Sequence, residues 1–215
     1  MDPFPHLSPL VVDASSPILQ VGIPNKDGWL HVAVSENQAL EGLFSAAEEA
    51  FHKLTEPSSK IDAIFFCEGP GSTLGLRIAC AFTRTIQWNN HPTPQLYKYN
   101  ALDMAYVMSG QQVSIQAPFR RGYRFVRQGE EFIGQKEILP EEEALKKFPE
   151  SMHLPDPRKL NTSIPEKQII TYNLASNCRG LIDLLRVSQP CEIATPYSPR
   201  PAEFKKWKPP ANANR

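Results

Sequence analysis

The segment 61–88, IDAIFFCEGPGSTLGLRIACAFTRTIQW, restricts the possible folds of this chain more than any other. Its apolar run (Ile61, Ala63, Ile64, Phe65, Phe66, Cys67) predicts a buried strand over 61–67. The run stops at Glu68-Gly69-Pro70-Gly71-Ser72, where glycine admits positive φ and proline removes a ladder donor. A helix is predicted over 72–88, with Ser72 or Thr73 placed to cap it. Strand, glycine turn and helix start form the building unit of α/β proteins, and functional groups gather at such turns.

The flanking pattern extends this unit. Residues 10–12, 18–23 and 29–34 read as three short strands, joined by Ser15-Ser16-Pro17 and by the hairpin signal Pro24-Asn25-Lys26-Asp27-Gly28. Leu40, Leu43, Phe44, Ala47, Ala50, Phe51 and Leu54 recur with helical period, which predicts an amphipathic helix over 40–54. A strand at 94–97 and a helix at 101–108 complete an order β-β-β-α-β-α-β-α, an α/β lobe spanning 1–110. A second, smaller α/β lobe is read at 111–190, with strands at 113–117, 122–127 and 131–138 and helices at 141–147 and 173–187. The stretch 149–165, with its prolines, reads as surface loop, and the basic, proline-rich tail 191–215 as extended chain. The first nine residues, three of them proline, read as a loose leader.

Composition narrows the function. The formal net charge is zero, which removes any global electrostatic argument for nucleic-acid binding. The charge is unevenly placed: residues 1–57 hold eight carboxylates against Lys26 and Lys53, whereas the tail from Ser198 holds five cations against Glu203. Cys67, Cys80, Cys178 and Cys191 form no CxxC pair, which argues for a reducing compartment without structural zinc. The five histidines contain no HxxxH or HExxH pair, and no serine sits in a GxSxG elbow. No segment has the secretory pattern or the roughly 20 apolar residues of a membrane span. A cytoplasmic protein is expected.

Four features carry candidate function. The turn 69–72 reads either as an anion site at a helix start or as a tight structural turn, and Arg77 is its nearby cation. Gly71, Gly75 and Ala79 recur every four residues and predict close approach of another helix, either 40–54 or one from another chain. Asp13, at the end of a strand, reads as a metal–nucleotide ligand or as a turn former. The run Arg120-Arg121-Gly122-Tyr123-Arg124-Phe125-Val126-Arg127 alternates cations with aromatics, a pattern for RNA contact or for a solvated sheet face over an aromatic row.

GPGSTLGLRIACAFTRTI resembles the GPGSFTGLRIG signature of the bacterial TsaB (YeaZ) family. Leu10-Val11-Val12-Asp13-Ala14-Ser15-Ser16 is similar to that family's first strand and its Asp-Thr-Ser-Thr, and Pro196-Tyr197-Ser198-Pro199-Arg200-Pro201 to its Tyr-Leu-Arg ending. The resemblance implies a two-lobed actin/hexokinase/Hsp70-like (ASKHA) α/β fold with mixed sheets and helices. It implies a non-catalytic scaffold of the tRNA N6-threonylcarbamoyladenosine complex, which pairs with and activates a TsaD-like catalytic subunit. A TsaE-like ATPase joins the complex, tRNA is met indirectly, and the isolated subunit forms a homodimer. No cofactor, metal, catalytic residue or membrane is implied for the chain itself. The implied partner interface involves Leu40, Phe44, Gly71, Ser72, Gly75, Arg77 and Ala79.

The chain departs from the pattern at Thr73-Leu74 (usually Phe-Thr), at Ala79 (Gly), at Glu36-Asn37-Gln38-Ala39 (a His-Ser element) and at Gln116-Ala117-Pro118 (Asp-Ala-Arg), which marks it as diverged. Two alternatives stand beside this reading. One is a two-lobed ATP-handling or acyl-transferring enzyme using Asp13 and the turn 69–72. The other is a diverged homodimeric paralogue outside the pathway.

Overall fold

The structure, a computed structural model, describes residues 8–54, 60–111, 114–156 and 164–198. Strands β1 (Pro9–Asp13), β2 (Leu19–Pro24) and β3 (Trp29–Ser35) form an antiparallel meander. Helix α1 (Ala39–Phe51) carries the chain to β4 (Ala63–Gly69), which lies parallel to β1. Helix α2 (Thr73–Asn89) then leads to β5 (Gln95–Asn100), parallel to β4. Both crossovers step the same way along the sheet, so the general right-handedness of such connections puts α1 and α2 side by side on one face. Leu43, Ala46, Ala47 and Ala50 of α1 and Ala79, Cys80 and Phe82 of α2 bury there against Leu10, Val12, Ile64 and Phe66. β1 and β2 are buried throughout, as strands covered on both faces must be.

The opposite face carries α3 (Ala101–Met108) and α6 (Gly180–Val187). Beyond them lies a four-stranded sheet of order β8-β7-β6-β9, made of β6 (Ile115–Pro118), β7 (Tyr123–Gln128), β8 (Gln135–Pro140) and β9 (Met152–His153). Its Ile115, Ala117 and Phe125 share one core with Phe65, Tyr99, Met104 and Leu184, so the two lobes are joined by a continuous apolar cluster. Helix α4 (Glu141–Lys147) packs on β7 and β8.

The stretch 149–165, read as surface loop, holds strand β9 with Ser151, His153 and Leu154 buried, because β6 offers it a parallel edge. Three further elements differ from the sequence reading. The apolar stripe over 173–187 is two helices, α5 (Leu174–Asn177) and α6, broken at Cys178-Arg179. At the break Gly180 takes φ +54°, and a Cβ built there would sit 2.0 Å from the Gly28 carbonyl. The first amides of α6 donate to the β2–β3 turn instead of to α5, with Leu181 N to Asn25 O at 3.0 Å and Ile182 N to Lys26 O at 3.1 Å. Second, β8 begins at Gln135 rather than 131, because 131–134 turns around a buried ion pair described below. Third, β10 (Ser188–Cys191) pairs antiparallel with β5 and completes the six-stranded sheet, order β10-β5-β4-β1-β2-β3. The chain read as second lobe to residue 190 therefore returns to the first sheet at Ser188. Pro190 is tolerated because β10 is an edge strand. Of the nine residues read as a loose leader, Pro9 instead opens buried strand β1; residues 1–7, Val113, residues 157–163 and the tail from Pro199 lie outside the described residues.

Candidate functional site

Asp13 ends β1 as predicted, but it is fully buried and its carboxylate is fully engaged. Oδ1 accepts from Ser15 N at 2.8 Å and Ser15 Oγ at 2.6 Å, and Oδ2 accepts from Tyr99 Oη at 2.7 Å and Tyr172 Oη at 2.8 Å. Four donors to one carboxylate leave no lone pair facing a ligand. Burial first, and the Asp13 charge second, hold both tyrosine hydroxyls well above their ordinary range, so they remain protonated donors. The cluster ties β1, β5 and the 170–172 segment together: it is a structural bolt. The tyrosines carried no local sequence signal, since they reach Asp13 from 86 and 159 residues away.

The glycine stripe on α2 also faces inward. Ser72 caps the helix by accepting from Gly75 N at 3.2 Å, and Ser72 N donates to Ser15 O at 2.9 Å. A Cβ on Gly71 would lie 2.1 Å from Ser15 O, and one on Gly75 2.2 Å from Ala14 O. The close approach read from the four-residue spacing is real, but what approaches is the turn after β1, not a second helix. Gly75 and Ala79 are buried inside the chain, Ser72 is half-buried, and Gly71 and Arg77 are exposed. Between this turn and the second lobe lies a cleft of about 280 Å³, lined by Ser15, Ser16, Gly71, Thr73, Phe119 and Asp156 among others. Lys98 pairs with Glu68 beside the turn, at 3.3 Å.

The basic run resolves in neither of the two ways its alternation suggested. Arg124 and Arg127 are buried, while Arg120 stacks on Tyr123 with its guanidinium 4.2 Å from the ring centre. Arg127 meets Asp103 of α3 at 3.3 Å, lies over the Tyr106 ring at 3.6 Å, and donates to the Gly129 and Glu131 carbonyls. Lys136 reaches the other Asp103 oxygen at 2.6 Å, and Gly134 N donates to Asp103 Oδ1 at 3.0 Å. Arg124 bonds Glu141 at 2.9 Å and His153 Nδ1 at 3.0 Å. Arginine has only donors, so Nδ1 accepts and the ring is neutral; burial and the Arg124 charge lower its pKa to about 4. Arg124 and Arg127 hold the second lobe to α4 and α3 and are unavailable to RNA, whereas Arg120 and Arg121 are exposed. Gln116, where the TsaB pattern has Asp, donates to Ala144 O of α4 at 3.2 Å.

Large apolar side chains stand exposed on the outer surface of α1 and α2, as do Leu30 and Val34 on β3 and Ile193 after β10. Leu40 is 59%, Phe44 54%, Leu74 63% and Trp88 73% exposed, an unusual surplus of large apolar side chains on two adjacent helices. Phe44 meets Phe82 edge-on at 5.7 Å, and Phe51 stacks on Phe82 at 6.4 Å. Together with Ala47 and Ile86 they line a groove of about 560 Å³ between the helices. Of the residues expected at a partner interface, Leu40 and Phe44 stand on this surface and Arg77 beside it.

Among the described residues no group of three His, Cys, Asp or Glu side chains has metal-binding geometry. Burial raises the thiols of Cys80 to about 11 and Cys178 to about 12. No helix in the described residues is long and apolar enough to cross a membrane.

No protein-family profile and no curated protein matches the chain. Solved structures do. YeaZ from Pseudomonas aeruginosa aligns over 63% of this chain and 68% of its own, with TM-score 0.53 and 18% identity. The fold is that of YeaZ. A second structure, described as an uncharacterized protein with similarity to peptidase YeaZ from Pseudomonas aeruginosa, aligns over 62% of this chain and 66% of its own, with TM-score 0.52 and 18% identity. The chain spans about two thirds of each. The two-lobed ASKHA α/β arrangement is thus shared with YeaZ at the level of the backbone.

Proposed function

We propose that this chain is a diverged TsaB-type scaffold: it pairs with a TsaD-like catalytic subunit and supports threonylcarbamoyl transfer to tRNA without performing chemistry itself. The observation that carries this reading is the surplus apolar surface of α1 and α2, with Leu40, Phe44 and Leu74 facing water on a fold like that of YeaZ. Burying such side chains against a partner contributes about 1.5–3 kcal/mol each, and aromatic anchors dominate interfaces. In isolation the same surface forms a homodimer through a two-fold axis. A TsaE-like ATPase joins the assembly, tRNA is met through it, and the setting is cytoplasmic.

The glycine stripe plays a different part in this scheme from the one its spacing first suggested. Gly71 and Gly75 seat α2 on the turn after β1 and so aim its outer row at the partner. The enzymatic alternative is weakened by Asp13, which it needs as a ligand and which four protein donors already occupy.

Co-expression with the host's TsaD-like protein tests the proposal. The two chains are expected to co-purify as a stable complex, and the chain alone to leave ATP unhydrolysed. Turnover by the isolated chain, or failure to capture the TsaD-like protein, would overturn it.

A further inference from the structure

The groove between α1 and α2 has an acidic side as well as an apolar floor. Glu48 lines it and Glu41 stands on the same exposed surface of α1, and among the described residues neither is in an ion pair. The third nearby carboxylate, Glu49, is held by His31 at 2.8 Å. The described chain ends at Ser198, in a cavity of about 290 Å³ that it shares with Leu76 and Arg77 of α2 itself. Beyond it the sequence reads Glu203-Phe204-Lys205-Lys206-Trp207-Lys208, two large aromatics three residues apart among three lysines.

Apolar floor and acidic rim on one side, aromatics and lysines on the other, are complementary. The tether is long enough. From Ser198 to Phe204 an extended chain spans about 20 Å, whereas α2 advances only about 14 Å between Arg77 and Ile86. The exposed Leu74 and Ala81 line the way across the helix.

We propose that the α1–α2 groove receives the 204–208 segment of the same chain, with Phe204 and Trp207 on Phe44, Phe51, Phe82 and Ile86 and the lysines toward Glu41 and Glu48. Tethering raises the local concentration of the segment to the millimolar range, so weak contacts suffice to occupy the site. The tail and any partner subunit then compete for the same two helices, and partner binding displaces the tail. Occupancy of the groove by the tail is a property of the chain alone and goes beyond the choice of partner.

Limited trypsinolysis of the full chain, at protein concentrations too dilute for self-association, tests it. Lys205 and Lys206 are cleavable, whereas Lys208 precedes Pro209. Cleavage follows the population in which the segment is released, so it is expected to be about tenfold faster in Phe44→Glu than in the natural chain. Glu48→Lys is expected to act in the same direction, as is added salt. Leu30→Glu, at an equally exposed apolar position on β3, is expected to change nothing. Equal rates in the natural chain and Phe44→Glu would overturn the proposal. So would protection that grows with protein concentration, which would assign the groove to a second copy, or protection that appears only with added RNA. None of these readings involves a TsaD-like protein, so they are independent of the pairing test.

Discussion

The two faces of the six-stranded sheet are finished in opposite ways. The face beneath α3, α6 and the second sheet encloses charge: Asp13 with two tyrosines, and Asp103 with Arg127 and Lys136. The face beneath α1 and α2 encloses mainly apolar contacts, with Thr83 and Asn90 among its buried polar side chains, yet leaves large apolar side chains outside. The difference follows from what lies behind each helix layer. Behind α3 and α6 there is more protein, so polar groups there must be paired within the chain, since an unpaired buried charge costs several kcal/mol. Behind α1 and α2, large apolar side chains stay exposed among the described residues. Conspicuous polar residues thus mark how this chain holds itself together.

The largest expected effect breaks the enclosed side. Asp103→Ala leaves Arg127 buried without its carboxylate and should destabilise the protein by about 3–5 kcal/mol in chemical denaturation. Gly75→Leu comes next. Its side chain would enter the Ala14 carbonyl, backbone that cannot yield cheaply, and a loss of about 3 kcal/mol is expected. That result would confirm that the glycine stripe is interior; unchanged stability with lost partner binding would return it to the interface.

A pH titration of stability sharpens the same contrast. His153 has a folded pKa lowered from 6.5 to about 4, so between those values the unfolded chain binds a proton that the fold refuses. Stability should therefore fall as pH drops through that window, by roughly 3 kcal/mol in all, and this contribution should change no further below it. His153→Gln should flatten that part of the profile. The smallest effect on folding is expected outside: Phe44→Glu should change stability by no more than about 0.5 kcal/mol, because the ring is already half in water.

Much of this architecture was legible in the sequence. Helices 101–108 and 141–147 appear at the predicted residues, and the strand–turn–helix at 61–88 appears within two residues at either end. What was not legible depends on partners distant in the chain. β10 is four residues with a proline and exists only because β5 offers an edge. The helix break at Gly180 is imposed by carbonyls of the β2–β3 turn, some 150 residues earlier. Alternation in 120–127 showed a two-faced strand, but not that α3 and α4 would supply carboxylates to bury Arg127 and Arg124. A spacing of four correctly announced close approach along α2 and said nothing of what would approach. At the candidate site, the apolar positions Leu40 and Phe44 were readable from helical period, whereas their exposure was not: period locates a face, and only the fold shows whether something covers it.

We propose that a partner completes the outer face of α1 and α2. The most direct test is a titration of the host's TsaD-like subunit with the natural chain and with the double variant Leu40→Glu/Phe44→Glu, each shown to have the same melting temperature. An affinity loss of about 100-fold in the variant is predicted, the ordinary consequence of removing two central apolar anchors. Undiminished affinity in a folded variant would contradict the assignment of this face.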